Sequence, residues 1–163
     1  MSAIVGVCFV CLGNICRSPT AEGIMRDLVT RAGLDARFRI DSAGTGAWHV
    51  GNSPDPRSIA AAAARGVRLV GQARRVAVED FGGFDYLIAM DRENARDLAE
   101  LAPDAVARRR IHLLRSFDPD SASEPDVPDP YYGGSDGFAR VFEVCLAGCT
   151  GLLAHARTTH GLA

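Results

Sequence analysis

The chain has 163 residues, 47% of them hydrophobic and 23% charged, with 18 basic against 20 acidic side chains and a net charge of −2. That length and balance predict one domain over residues 1–163 with a proper core, and they exclude a disordered chain. They also exclude wholesale binding to nucleic acid or to anionic lipid. Five cysteines, at 8, 11, 16, 145 and 149, are odd in number and lack paired zinc-finger spacing. Reduced thiols in the cytoplasm are the expectation. The apolar N-terminal run has no positive n-region and no small-residue cleavage site, and no stretch reads as long enough to cross a membrane.

Residues 4–10 (Ile-Val-Gly-Val-Cys-Phe-Val) are apolar and β-branched, which predicts a buried strand. Cys11-Leu-Gly-Asn-Ile-Cys-Arg-Ser18 follows as a loop, with Ser18 read as an N-cap and Pro19 as a first-turn proline. Ala21, Ile24, Met25, Leu28, Val29 and Ala32 recur at a helical period that Gly33 closes. Residues 37–41 alternate as a half-buried strand, whereas 42–57 is rich in glycine and proline and reads as a loop. An alanine-rich helix over 58–65 stops at Gly66. Residues 84–90 read as the second core strand, and Asp91 caps a helix that Pro103 ends. A short strand covers 111–114, a long proline- and aspartate-rich loop covers 117–137, and a last helix carries an apolar stripe from Phe138 to Leu153. This alternation predicts an α/β fold with a mainly parallel sheet and neither repeat nor second domain.

The loop at 11–18 carries the chemistry. A loop between strand and helix turns its amides inward, and the helix dipole adds positive charge, making a nest for a phosphate-sized anion. A cysteine attacks as its thiolate, which the amides, Arg17 and the Ser18 hydroxyl all favour. Arg17 matches two phosphoryl oxygens with one planar fork. Gly13 permits close backbone approach, and Asn14 tolerates a left-handed conformation. The logic is nucleophilic catalysis through a phosphocysteine. A Cys-x5-Arg spacing alone arises by chance; Asn14, Ser18-Pro19 and the flanking elements give it meaning. No Gly-Lys-Ser/Thr follows, which excludes a Walker-type site, and Cys11 with Cys16 lacks a second ligand pair for zinc. Phosphoester cleavage also needs an acid for the leaving oxygen and a base for water. Asp118 and Asp129, both before proline and beside aromatics, are the two candidates, and composition leaves the choice open.

At this point the chain resembles the low-molecular-weight protein tyrosine phosphatases of the bacterial type. The matching residues are Cys11 to Pro19, Asp41-Ser-Ala-Gly44, Phe84-Asp-Tyr86, Met90-Asp91 and Asp129-Pro-Tyr-Tyr-Gly133. The resemblance implies a three-layer sandwich whose four-stranded parallel sheet is flanked by helices, with the phosphate-binding loop after strand 1. It implies metal-free, cofactor-free hydrolysis of tyrosine-phosphorylated proteins, with phosphate or other oxyanions held in the loop. Cys11 becomes the nucleophile, Arg17 the phosphate clamp, Ser18 the thiolate support and Asn14 the loop-shaping residue. Leu12, Gly13, Ile15 and Cys16 complete the substrate-binding loop. The resemblance settles the acid as Asp129 and returns Asp118 to a structural or solvated role.

Trp48 and His49 occupy the family's variable aromatic wall, where a phenyl ring would stack, and Tyr131 and Tyr132 would form the opposite wall. Relatives use the pair matched by Cys11 and Cys16 as a reversible disulfide against over-oxidation; the plain alternative for Cys16 is a small loop filler. Cys8, Cys145 and Cys149 read as core thiols, and His112, His155 and His160 as surface or packing residues. Many relatives carry a histidine before the Ala-Arg pair found here as Ala73-Arg74, within reach of the glutamate matched by Glu22. Gly71-Gln72 stand here instead, which predicts no acid–histidine pair and an exposed Glu22. Three rival readings share the site. Protein arginine phosphatases of this fold tend to place threonine where Ile15 stands. Arsenate reductases need mid-chain cysteines that are absent here. A redox-sensing phosphate-binding module would have lost the acid.

Overall fold

The computed structural model describes residues 3–121, 123–130 and 134–162. The elements run β1 (Val5–Cys11), α1 (Arg17–Arg31), β2 (Phe38–Gly44), α2 (Pro56–Ala63), α3 (Asp80–Gly83), β3 (Tyr86–Ala89), α4 (Arg92–Leu101), α5 (Ala105–Arg108), β4 (Ile111–Leu113) and α6 (Ser135–Thr159). All seven residues of β1 are buried. A strand covered on both faces needs apolar side chains in both directions, and Val-Gly-Val-Cys-Phe-Val-Cys provides them. Successive side chains point to opposite faces. Val5, Val7, Phe9 and Cys11 therefore join a core with Ile24 and Met25 of α1 and Val141 and Leu152 of α6. Cys8 and Val10 join a second core with Phe81, Leu98 and Ala107 from α3, α4 and α5. Helix, sheet, helix: the three layers follow from one strand's alternation.

The sheet order is β2-β1-β3-β4 and every pairing is parallel. All strands therefore finish at one edge. From β1 the chain first builds outward to β2, then crosses to β3 on the other side, so a crevice opens at the C-terminal end of β1. Cys11 is the last residue of that strand, registered against Gly44.

Several local expectations shift. β2 extends through Ser42–Gly44, because those residues pair with Phe9, Val10 and Cys11 rather than looping away. Helix α1 begins at Arg17 with Cys16 at its N-cap, so Ser18 is inside the first turn and its hydroxyl is turned to Cys11. Helix α2 starts two residues earlier than periodicity suggests, because the Asp55 side chain accepts the Arg57 N–H at 2.8 Å. The single-turn helices α3 and α5 are too short to leave a period in the sequence.

Helix α6 corrects the reading that no stretch is long enough to cross a membrane: residues Asp136–Thr159 are long and apolar enough. The buried stripe of Val141, Cys145, Cys149, Leu152 and Ala156 is instead part of the first core. Gly151 lets this helix meet the turn at Leu114–Phe117, since a Cβ there would lie 1.8 Å from the Phe117 carbonyl oxygen. Burial pushes the thiols of Cys8, Cys145 and Cys149 up, Cys145 to about 12, so they sit in the core uncharged. His112, His155 and His160 pack around Tyr86, the first residue of β3, at the edge of the sheet away from the crevice.

Candidate active site

The loop from Leu12 to Cys16 turns on Asn14, whose φ of 57° is the one positive value among the described non-glycine residues. Its side chain is buried and fully engaged. Asn14 Oδ1 accepts the Arg74 N–H at 3.0 Å, which fixes which end of the amide is which. Asn14 Nδ2 then donates to Ser18 Oγ at 2.8 Å and to Ser42 Oγ at 2.9 Å. The Ser18 hydroxyl that accepts from Asn14 lies 2.9 Å from Cys11 Sγ, where it can donate to a thiolate. The Asn14 N–H points at the same sulfur from 3.3 Å. Two donors and a helix N-terminus thus face one sulfur, an arrangement that favours an anion there.

The chain of hydrogen bonds has a far end that sequence reasoning missed. Ser42 Oγ donates to Glu22 Oε1 at 2.5 Å, and Glu22 is ion-paired with Arg26 at 2.9 Å. Glu22 is buried rather than exposed, because the last residues of β2 lie against α1 and bring Ser42 onto it. The signal was present: Glu22 and Arg26 stand four residues apart, one turn of a helix.

Arg17 is 4% exposed. Its Nη1 donates to Asp91 Oδ2 at 2.7 Å and to the Val127 carbonyl at 3.0 Å, which uses both hydrogens of that nitrogen. Burial works against its charge, but Cys11, Asp91 and Asp129 outweigh it and raise the guanidinium above its ordinary value. Asp91 was expected only as a helix cap, and it does accept the Asn94 N–H at 2.7 Å. Its second contact follows from topology: β3 neighbours β1, so Asp91, two residues past the end of β3, arrives beside the loop after β1.

Cys11, Leu12, Gly13, Ile15, Cys16, Arg17, Trp48, His49 and Asp129 line one cleft of about 340 Å³. Asp129 Oδ2 stands 3.9 Å from Arg17 Nη2, and its side chain is 44% exposed. Trp48 is 74% exposed, so its ring is a wall and no part of the core. Burial, with Asp55 nearby, pushes the Cys16 thiol up to about 12. Asp118 is spent locally, accepting the Asp120 N–H at 2.9 Å. Tyr131 and Tyr132 lie outside the described residues. A sulfur among donors, a fixed guanidinium and a carboxyl across an open cleft can together attack, hold and protonate a phosphoryl ester.

Known proteins share this sequence pattern and this fold. Residues 6–160 match the family model for low molecular weight phosphotyrosine protein phosphatase. A low molecular weight protein-tyrosine-phosphatase of Streptomyces coelicolor is 48% identical over 152 residues, 93% of each chain. The crystal structure of YfkJ from Bacillus subtilis superposes with a TM-score of 0.90 at 40% identity, covering 97% of this chain and 98% of that one. A drosophila arginine phosphatase structure gives a TM-score of 0.86 at 33% identity, covering 93% and 97%. Both the sequence match and the superposition run almost end to end, and on that ground this chain belongs to the low molecular weight phosphotyrosine protein phosphatase family.

Proposed function

We propose that this protein hydrolyses phosphotyrosine in proteins without a metal, through a phosphocysteine on Cys11. The Cys11 thiolate attacks phosphorus while the loop amides and the Nε–Nη2 edge of Arg17 hold the phosphoryl oxygens. Asp129 gives its proton to the tyrosine oxygen as the P–O bond breaks. The resulting carboxylate then takes a proton from water, whose oxygen attacks phosphorus; the P–S bond breaks, and phosphate and the Cys11 thiolate are released. The observation that carries this reading is the convergence of Cys11, Arg17 and Asp129 on one cleft whose sides are Leu12, Ile15 and Trp48. These sides suit an aryl ring.

The likeness to an arginine phosphatase makes phosphoarginine the competing substrate. Ile15 lines the cleft and offers carbon rather than a hydroxyl at the point where a guanidino nitrogen or water would need a partner. In chelator-treated buffer, the wild-type protein is expected to cleave phosphotyrosine peptides and to leave phosphoarginine peptides largely intact. Ile15→Thr should narrow that preference. Equal wild-type kcat/KM on the two substrates would defeat the assignment.

The same reading gives Cys16 a protective role, supported by its place in the cleft wall with Cys11. Peroxide oxidises the Cys11 thiolate to a sulfenic acid; the Cys16 sulfur displaces water from it, leaving a disulfide that dithiothreitol reduces. Peroxide-treated wild type is expected to recover its activity with dithiothreitol, and Cys16→Ser to recover much less. Equal recovery by both would leave Cys16 as a loop filler.

A further inference from the structure

The segment that presents Asp129 belongs to no helix or strand, yet two of its residues are held from several sides. The Val127 N–H donates to the Met90 carbonyl at 2.8 Å, fastening the segment to the end of β3. The Val127 carbonyl accepts from Arg17 Nη1 at 3.0 Å, and the Asp126 carbonyl accepts from Arg115 Nη1 at 3.2 Å. The Asp126 carboxylate accepts the backbone N–H of Arg92 at 2.9 Å, and the Arg92 side chain reaches it through Nε and Nη2, the latter at 3.0 Å. Arginines from α1, from the turn after β4 and from α4 therefore meet at two consecutive residues just before Asp129. Two of them, Arg17 and Arg115, are buried, and they hold backbone. Arg92 instead grips the Asp126 side chain.

We propose that Asp126, gripped by Arg92, is a positioning residue that sets where Asp129 stands over the cleft. The proposal rests on the assignment of Asp129 as the acid. From Val127 only Pro128 intervenes before Asp129, and Pro130 follows, so two prolines restrict the backbone on either side. Orientation fixed at Asp126 is thus passed on to the carboxyl that must reach the leaving oxygen. Magnitude separates this role from a plain surface ion pair. Arg92 and Asp126 are 63% and 37% exposed, and exposed pairs contribute little to stability. Displacing a catalytic group by about 1 Å can cost up to about a hundredfold in rate. A positioning role should therefore show in catalysis and barely in melting.

The test compares Asp126→Asn, Arg92→Ala and Arg92→Lys with wild type on a phosphotyrosine peptide and on para-nitrophenyl phosphate. The leaving phenolate of the peptide needs a proton, and nitrophenolate needs little. For Asp126→Asn and Arg92→Ala, kcat/KM on the peptide is expected to fall about tenfold, with less than about threefold loss on the nitrophenyl ester. Melting should move by no more than about 2 °C. Arg92→Lys keeps the charge without the fork and should recover part of the loss. A loss of equal size on both substrates, or none on either, overturns the positioning role. Asp129→Ala on the same two substrates separates the two assignments. If it shows no dependence on leaving group, the acid assignment falls and the positioning role with it. If it shows that dependence while Asp126→Asn does not, only the positioning role falls.

Discussion

Replacing Cys11 with serine is expected to lower phosphotyrosine hydrolysis by at least about 10⁴-fold, the scale on which covalent catalysts lose activity with their nucleophile. The donors around Cys11 Sγ are arranged for an anion, but an alcohol ionises far less readily than a thiol. The Ser18 hydroxyl and the Asn14 N–H would thus face a neutral oxygen. Nothing else in the site need change. Cys11 packs at the end of a buried strand, and serine is smaller by only a fraction of one atom's volume. Arg17 stays pinned by Asp91 and by Val127, so the phosphoryl group still has its clamp. The variant should therefore bind a phosphotyrosine peptide that it barely turns over, measured by calorimetry alongside steady-state kinetics. Activity within tenfold of wild type would remove the phosphocysteine from the mechanism.

Asp129→Ala is expected to lower kcat/KM for a phosphotyrosine peptide by about 10²- to 10³-fold, within the usual worth of a positioned acid. For para-nitrophenyl phosphate the loss should be markedly smaller, because nitrophenolate departs without a proton. Using kcat/KM confines the comparison to steps up to P–O cleavage, so the second task of Asp129, activating water, does not blur it. Geometry supports this choice over Asp118: Asp129 lines the cleft beside Arg17, and Asp118 turns into its own backbone. A loss from Asp118→Ala as large as that from Asp129→Ala would reverse the assignment.

Much of this site is legible because its residues sit where strand and helix signals meet. The buried strand, Cys11 and Arg17 are contiguous, and the chemistry of each can be read from its neighbours. Asp129 was legible only as one of two aspartates; resemblance was needed to choose. Asp91, Ser42 and Asp126 were out of reach for a different reason. Each meets a partner far along the chain, Asp91 with Arg17, Ser42 with Asn14 and Asp126 with Arg92, and such pairs exist only once the sheet order is known. Only the cap reading of Ser18 failed, because a serine before proline imitates a cap, while its hydroxyl lies beside the sulfur as its neighbours suggested. The membrane-length helix shows the limit of composition: what an apolar stripe packs on is a tertiary fact.

The position of Cys11 at the end of β1 has a kinetic consequence. Its strand is registered against Gly44 through β2 and, one residue earlier, against Ala89 through β3. Neither partner is local in sequence, and parallel pairings of this kind close large loops before any contact rewards them. Asp91 and Val127 can reach Arg17 only after the second pairing is made. A fragment that lacks β3 or the segment at Val127 lacks these holds on Arg17. During refolding, activity is therefore expected to return only after both strands beside β1 have docked.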